Sequence, residues 1–420
     1  MQFPPVGHRP SAFPNAFGSD ARTNVRDIHQ SETASPRGFA VHASATQPSG
    51  FWLAASLGVA SFLCGGGWSL GQEARGAASV TTDVTPNREP AAAASVPAPL
   101  LEPLPERLSQ TGLYVAGSTD VIDPRNLPYA PQYPLWTDGA TKRRWVQLPE
   151  GQRIDASDPD HFVFPVGTRF FKEFSFGTRT ETRSIELTSA GPRYATYLWN
   201  AEGTDAFLVP ERGARGVREL SGGARHDVPS RNDCAVCHEG RRDVVLGFDA
   251  LQLSADRDPL APHREPLPDG AVDLPELVRR DLIENLPWAM LEAPPRLDAH
   301  SPVERAARGY LYANCGHCHN GEGPLAPLHL DFDRASLEGA DAPWRPSAFG
   351  LDQASKYLLP GASDSVRVAG GHPEESVLAF RMRASAPAAR MPPLGTHRVD
   401  AEGVQLIERW IAEDLKTSSF

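Results

Sequence analysis

The chain has 420 residues, 40% of them apolar and 22% charged, with a formal net charge of −11. That length is enough for two or three domains, and the acidic balance argues against nucleic acid or an anionic membrane surface as the main partner. Forty prolines, well above ordinary usage, point to long irregular segments.

Residues 1–50 are rich in Pro, Ser, Ala, Gly and Arg and carry neither a helical nor a strand period. They read as a disordered extension, or as an overextended start of translation. Residues 51–76 read as a signal peptide. The uncharged run Phe51–Cys64 has the length of a signal-peptide core and is short for a membrane span, so the protein is expected to be periplasmic. Cys64 is a possible lipid-attachment cysteine, although Leu63 is a poor fit to the small residue such sites need. Membrane association is expected only if Cys64 is lipidated. Residues 77–105 have the Ala/Thr/Pro composition of a linker.

Residues 106–230 change to a period of two. Arg169–Phe176, Thr182–Leu187 and Tyr194–Trp199 are short β-branched and aromatic runs separated by turn signals such as Pro165-Val166-Gly167 and Gly191-Pro192. These describe an antiparallel β domain, with Trp136, Trp145 and Trp199 most simply in its core. After residue 270 the period becomes helical. Asp273–Ile283, a helix opened by Ser301-Pro302-Val303-Glu304, and Glu402–Leu415 are the expected helices.

Four of the five cysteines fall into Cys234-Ala-Val-Cys237-His238 and Cys315-Gly-His-Cys318-His319. Chance does not supply two such pentapeptides in one chain. Two residues between the cysteines let one tight helical turn present both thiols to the two vinyl groups of a porphyrin, and the histidine then lies under the iron. Zinc would not require a histidine after each pair, and the pairs lack ribbon spacing. A thioredoxin-like pair would need only one site and a βαβ setting. The expected cofactors are two covalently attached haems c, held by Cys234, Cys237, Cys315 and Cys318, with His238 and His319 as iron ligands.

The second motif follows the helical run Ala306–Asn314 and precedes Ala389-Arg390-Met391-Pro392-Pro393 and then the last helix. This order resembles the class I cytochrome c domain, with Ala307, Tyr310 and Leu311 facing Trp410. The resemblance implies that Met391 is the sixth iron ligand of the second haem and that His317 faces away from the iron into solvent. Met382 lies within a separate helical run and reads as core. The first motif has no long leading helix, because Pro229 and turn residues stand before it. Its sixth ligand is open among His263, Met290 and His226. His263 ranks first, because it precedes a helix much as Met391 does.

On a larger scale, Pro134–Ala140, Lys142-Arg143-Arg144-Trp145, Phe164–Thr168, Thr196–Asn200 and Asn232-Asp233-Cys234 resemble a bacterial family of diheme c-type cytochromes with a leading β-rich domain. The likeness covers roughly residues 106–420 and implies haem binding and electron transfer without naming a substrate. The expected architecture is therefore multidomain: an antiparallel β domain, then mainly α cytochrome c-like haem domains. The latter comprise a first haem-binding segment at 231–295 and a class I cytochrome c-like domain at 296–420. The expected function is electron transfer between a redox protein donor and acceptor. The alternative is a peroxidase-like haem enzyme with an open coordination site at the first haem. No catalytic triad, phosphate loop or dinucleotide fingerprint is present.

Overall fold

The computed structural model describes residues 102–337 and 350–416, all within one unit of the fold. The expected extension, signal peptide, Cys64 and most of the linker lie outside the described residues. Among those described, no helix is long and apolar enough to cross a membrane.

The chain runs through β1 (Leu127–Tyr129), β2 (Thr141–Gln147), β3 (Ile154–Asp155), β4 (Arg169–Phe176), β5 (Thr178–Thr188), β6 (Gly191–Trp199), β7 (Ala206–Leu208), β8 (Ala214–Glu219) and β9 (Arg225–Val228). Six of these form one antiparallel sheet in the order β1-β2-β4-β5-β6-β7, and β8 and β9 make a separate hairpin. The alternating runs anticipated at 169–176, 182–187 and 194–199 are the three central strands. Ahead of them, Val163 forms only an isolated bridge with Asp155.

Because side chains alternate across a sheet, the two faces carry different chemistry. Trp145, Phe171, Ala195, Tyr197 and Trp199 pack on one face with Leu108, Leu113 and Tyr114. There the Trp199 indole donates to Thr182 Oγ1 at 3.1 Å. On the other face Val146 and Phe170 join Tyr129, Phe162 and Phe248. Further along that same face stand charged residues: Lys172 pairs across with Arg144 on one side and Arg183 on the other, and Phe174 pairs with Lys142 and Glu181.

The expectation that the remainder is mainly α is overturned, because only 21% of the described residues are helical and the antiparallel sheet is the dominant element. The helices are α1 (Arg231–His238), α2 (Leu274–Arg279), α3 (Ala289–Glu292), α4 (Pro302–Asn314), α5 (Arg334–Leu337), α6 (Val377–Arg383) and α7 (Ala401–Asp414). Among the described residues only α4 and α7 exceed eight residues. Proline and left-handed residues explain the shortfall. The 239–301 segment contains Pro259, Pro262, Pro266, Pro268, Pro275, Pro287, Pro294 and Pro295, which break helices beyond their first turn. The helix expected over 273–283 stops at Arg279, with Asp281 at φ +57°. Its continuation is instead β10 (Ile283–Glu284), paired parallel to β3.

Ser301 caps α4 as anticipated, its hydroxyl accepting from the Glu304 N–H at 3.0 Å. The Glu304 carboxylate, however, takes the N–H of His300 rather than that of Ser301. α4 packs on α7 through Ala307, Tyr310, Leu311, Val404, Ile407, Trp410 and Ile411. Gly403 makes this approach possible, since a Cβ there would stand 2.4 Å from the Tyr310 ring.

Candidate functional site

Ser230 and Asp233 fix the start of α1 reciprocally. The Ser230 hydroxyl accepts from the Asp233 N–H at 3.1 Å, and the Asp233 carboxylate accepts from the Ser230 N–H at 2.9 Å. This capping box begins a two-turn helix that places Cys234 and Cys237 three residues apart on adjacent turns, ending on His238. The His238 Nδ1 lies 2.7 Å from the Val244 carbonyl. A carbonyl only accepts, so Nδ1 carries the proton and Nε2 keeps its lone pair. Burial pushes the imidazole pKa down to about 4, so this ring is neutral at pH 7, as an iron ligand must be.

The second motif begins at the end of α4. Cys315 N–H donates to Leu311 O at 2.8 Å, and His319 N–H donates to Cys315 O at 2.8 Å, so the turn continues tightly through the pentapeptide. Gly316 is required there: a Cβ would fall 2.7 Å from the carbonyl oxygens of both Tyr312 and Phe332. His319 stands edge-on to Phe332 with ring centroids 5.9 Å apart, and its buried Nδ1 has no hydrogen-bond partner. Burial, followed by Arg381 and Arg367, lowers its pKa as well.

All four thiols are free. Burial pushes Cys237 up to about 11 and Cys315 up to about 12, and raises Cys234 and Cys318. Reactive redox cysteines need the opposite shift, so these thiols are not set up for that chemistry. Two neutral imidazoles beside paired, protonated thiols do fit two covalently attached haems.

Although the motifs are 81 residues apart in sequence, the residue Gly240, just after the first, packs on the second. The buried Asn320 amide donates to Gly240 O at 3.2 Å and to Gly316 O at 2.9 Å. Gly240 approaches so closely that a Cβ would lie 2.7 Å from His317 O, and one on Gly323 would lie 2.2 Å from Gly240 O. His317 is accordingly buried, at 6% exposure, which corrects the expectation that it faces solvent. Covering by the first motif is the reason.

The remaining candidates are dispersed. Met391 donates its N–H to Arg381 O at 2.9 Å, and its half-buried side chain borders a cleft walled by Trp136, Tyr310, Met382, Thr396 and Asp400. Met382 is buried in the core, as anticipated. His263 has both ring nitrogens engaged, Nε2 with Asp400 at 2.8 Å and Nδ1 with Glu402 at 3.4 Å, and its ring lies 4.6 Å from that of Trp136. To reach an iron it would have to release the carboxylate on the nitrogen that binds, while the other could stay. His226 is buried against Glu181 at 3.0 Å and Asp138 at 3.8 Å. Met290 packs against the core shared by Phe170 and Phe248.

Sequence reasoning missed Lys172 and Arg183 altogether and met Lys142 and Arg144 only as a basic-aromatic run. Their convergence on one sheet face depends on strand register. No family model, curated protein or solved structure matches the chain.

Proposed function

We propose that this chain is an exported diheme c-type cytochrome that carries electrons between a periplasmic donor and acceptor, as the family resemblance implies. The observation that carries the reading is the backbone contact between the two Cys-x-x-Cys-His segments, with neutral imidazoles beside both thiol pairs. Haem supplies a one-electron iron couple whose potential is set by axial ligands, hydrogen bonds and burial. The protein's part is to hold Cys234, Cys237, Cys315 and Cys318 protonated and spaced for attachment. It also fixes the tautomer of His238 through Val244 and keeps His238 and His319 uncharged. Met391 is the proposed sixth ligand at the second site. Export rests on the apolar run at 51–64.

A second reading, a haem enzyme acting at the first site, draws on one observation. His263 is held by Asp400 and Glu402, which leaves the ligand opposite His238 unassigned.

Expression in a host that attaches haem c, followed by a pyridine haemochrome assay, tests the primary reading. Two haems per chain are expected, falling to one in Cys234→Ser/Cys237→Ser and in Cys315→Ser/Cys318→Ser. A haem-free, exported and folded wild-type protein refutes it. Absence of carbon monoxide binding by the reduced protein favours pure electron transfer, whereas rapid binding favours the enzyme.

A further inference from the structure

The connection between β1 and β2, residues 130–140, leaves the sheet and lies on α4. Tyr133 fits against Gly309 of that helix, where a Cβ would stand 2.0 Å from its ring. The Trp136 N–H donates to Asn314 Oδ1 at 2.7 Å, and the Asn314 amide donates to Tyr310 O at 3.1 Å and Pro134 O at 3.5 Å. Asn314 is the last residue of α4 and stands directly before Cys315. The connection is thus pinned to the helix that leads into the second attachment motif.

Its tip also grips the segment that follows Met391. Asp138 is fully buried, and its Oδ1 accepts the N–H groups of His397 at 2.7 Å and Arg398 at 2.8 Å. Hydrogen bonds to a carboxylate are the stronger, charge-assisted kind. The Arg398 guanidinium donates back to Asp138 O at 3.0 Å, and the Trp136 indole donates to Arg398 O at 3.4 Å.

The two stems of the methionine loop, residues 389–398, are therefore held by different parts of the fold. The near stem hangs on α6: the Met391 N–H donates to Arg381 O at 2.9 Å, and Arg381 Nε donates to Ala389 O at 2.8 Å. Between the stems Pro393, Leu394 and Gly395 are exposed. The far stem is held from the β domain, by Asp138 and by an ion pair of His397 with Asp227 of β9 at 3.3 Å. Trp136 and Met391 border the same cleft.

We propose that Asp138, supported by Trp136, is a positioning residue for Met391: it clamps the far stem of the methionine loop to the end of α4. The inference rests on the reading of Met391 as sixth ligand of the second haem. Outer partners of this kind fix where a ligand-bearing segment sits. The β domain thereby becomes part of the second haem site.

The test is an imidazole titration of the ferric two-haem protein, followed at the methionine-sulfur band. Imidazole takes the place of the thioether only when the loop opens. Loss of two charge-assisted hydrogen bonds eases that opening, so the affinity for imidazole is expected to rise about tenfold or more in Asp138→Ala. Asp138→Asn keeps an oxygen for both N–H groups and is expected to hold the wild-type affinity. Trp136→Phe removes only the indole N–H, so a rise of about threefold is expected there, and this variant serves if Asp138→Ala does not fold. Trp199→Phe loses its bond to Thr182 in the sheet core, away from the clamp. It is expected to lower the urea midpoint and leave imidazole affinity unchanged. Hydrogen exchange of residues 391–398 on the same samples is expected to quicken in Asp138→Ala and not in Trp199→Phe. Wild-type affinity in both Asp138→Ala and Trp136→Phe, or an equal rise in Trp199→Phe, overturns the proposal. A wild-type protein that lacks haem or the sulfur band refutes the reading beneath it, whereas unchanged affinity with the band present refutes the clamp alone.

Discussion

The Asn320 side-chain amide donates to the backbone carbonyl of Gly240 at 3.2 Å, joining a residue directly after the second attachment motif to one just after the first. The same amide donates to Gly316 O, and the Asn320 carbonyl oxygen accepts the N–H groups of Glu322 at 3.0 Å and Gly323 at 2.7 Å. One buried side chain therefore ties both motifs and the loop that follows. If the motifs carry haems as proposed, this junction would fix the separation of the two redox centres.

Asn320→Ala removes these four hydrogen bonds and leaves two buried carbonyls without that donor. A loss of about 2–4 kcal/mol is expected, read as a lowered urea midpoint with unchanged slope. Gly323→Ala should destabilise the same junction by a different route, because its Cβ would press on Gly240 O. If both variants unfold at the wild-type midpoint, the junction has no structural role.

Met391→Ala is expected to abolish the methionine-sulfur absorption band of the ferric protein while leaving the haem count at two. Persistence of that band would assign the ligand elsewhere, with Met382 excluded by its core position.

His263→Ala separates two roles for one residue. Its ring supports Asp400, whose carboxylate also accepts from the Gly403 N–H at 2.9 Å and the Tyr310 hydroxyl at 2.9 Å, at the start of α7. The expected result is a loss of about 1–2 kcal/mol with the spectrum of the first haem unchanged. A ligand-loss spectrum would return His263 to the iron.

The buried cluster Asp138, His226, Glu181 and Arg183 sets a pH window. Burial alone would lower the pKa of His226, but Asp138 and Glu181 outweigh it and raise the value above the ordinary 6.5. The stability it contributes is full below pH 6.5 and is lost as pH rises through the raised folded value. Burial alone would raise Asp138 and Glu181, but hydrogen bonds and charge from His226, Arg183 and the 397–398 backbone hold them below their usual range. Their contribution is present above that range and is lost as pH falls through the lowered values. Stability should therefore peak between these limbs. His226→Leu is expected to cost about 1–3 kcal/mol near neutral pH, because it removes one partner from two buried carboxylates that keep Arg183 and the 397–398 N–H groups, and to remove the alkaline limb. Denaturation midpoints across pH 4–9 that keep the limb in the variant would contradict this assignment.

Several features were legible without tertiary information because their physics is local. The strand at Arg169–Phe176 follows from side-chain alternation between turn residues. The Ser301 cap follows from a hydroxyl reaching the N–H three residues on. The tight turn through Cys315–His319 follows from the helix that leads into it. None of these depends on what lies across the fold.

The mainly helical second half did not survive, since local period cannot weigh the prolines and left-handed residues that stop α2 at Arg279 or the β10–β3 pairing that takes its place. The burial of His317 was equally hidden, because the segment covering it comes from the other motif, 81 residues away. Sequence alone determined that two Cys-x-x-Cys-His motifs exist, and the haem chemistry proposed for them rests on that pattern. Only the tertiary structure decided that the segment after the first packs on the second, and that strand register gathers Lys142, Arg144, Lys172 and Arg183 on one sheet face. Such juxtapositions are set by long-range pairing and burial, which no local pattern of residues encodes.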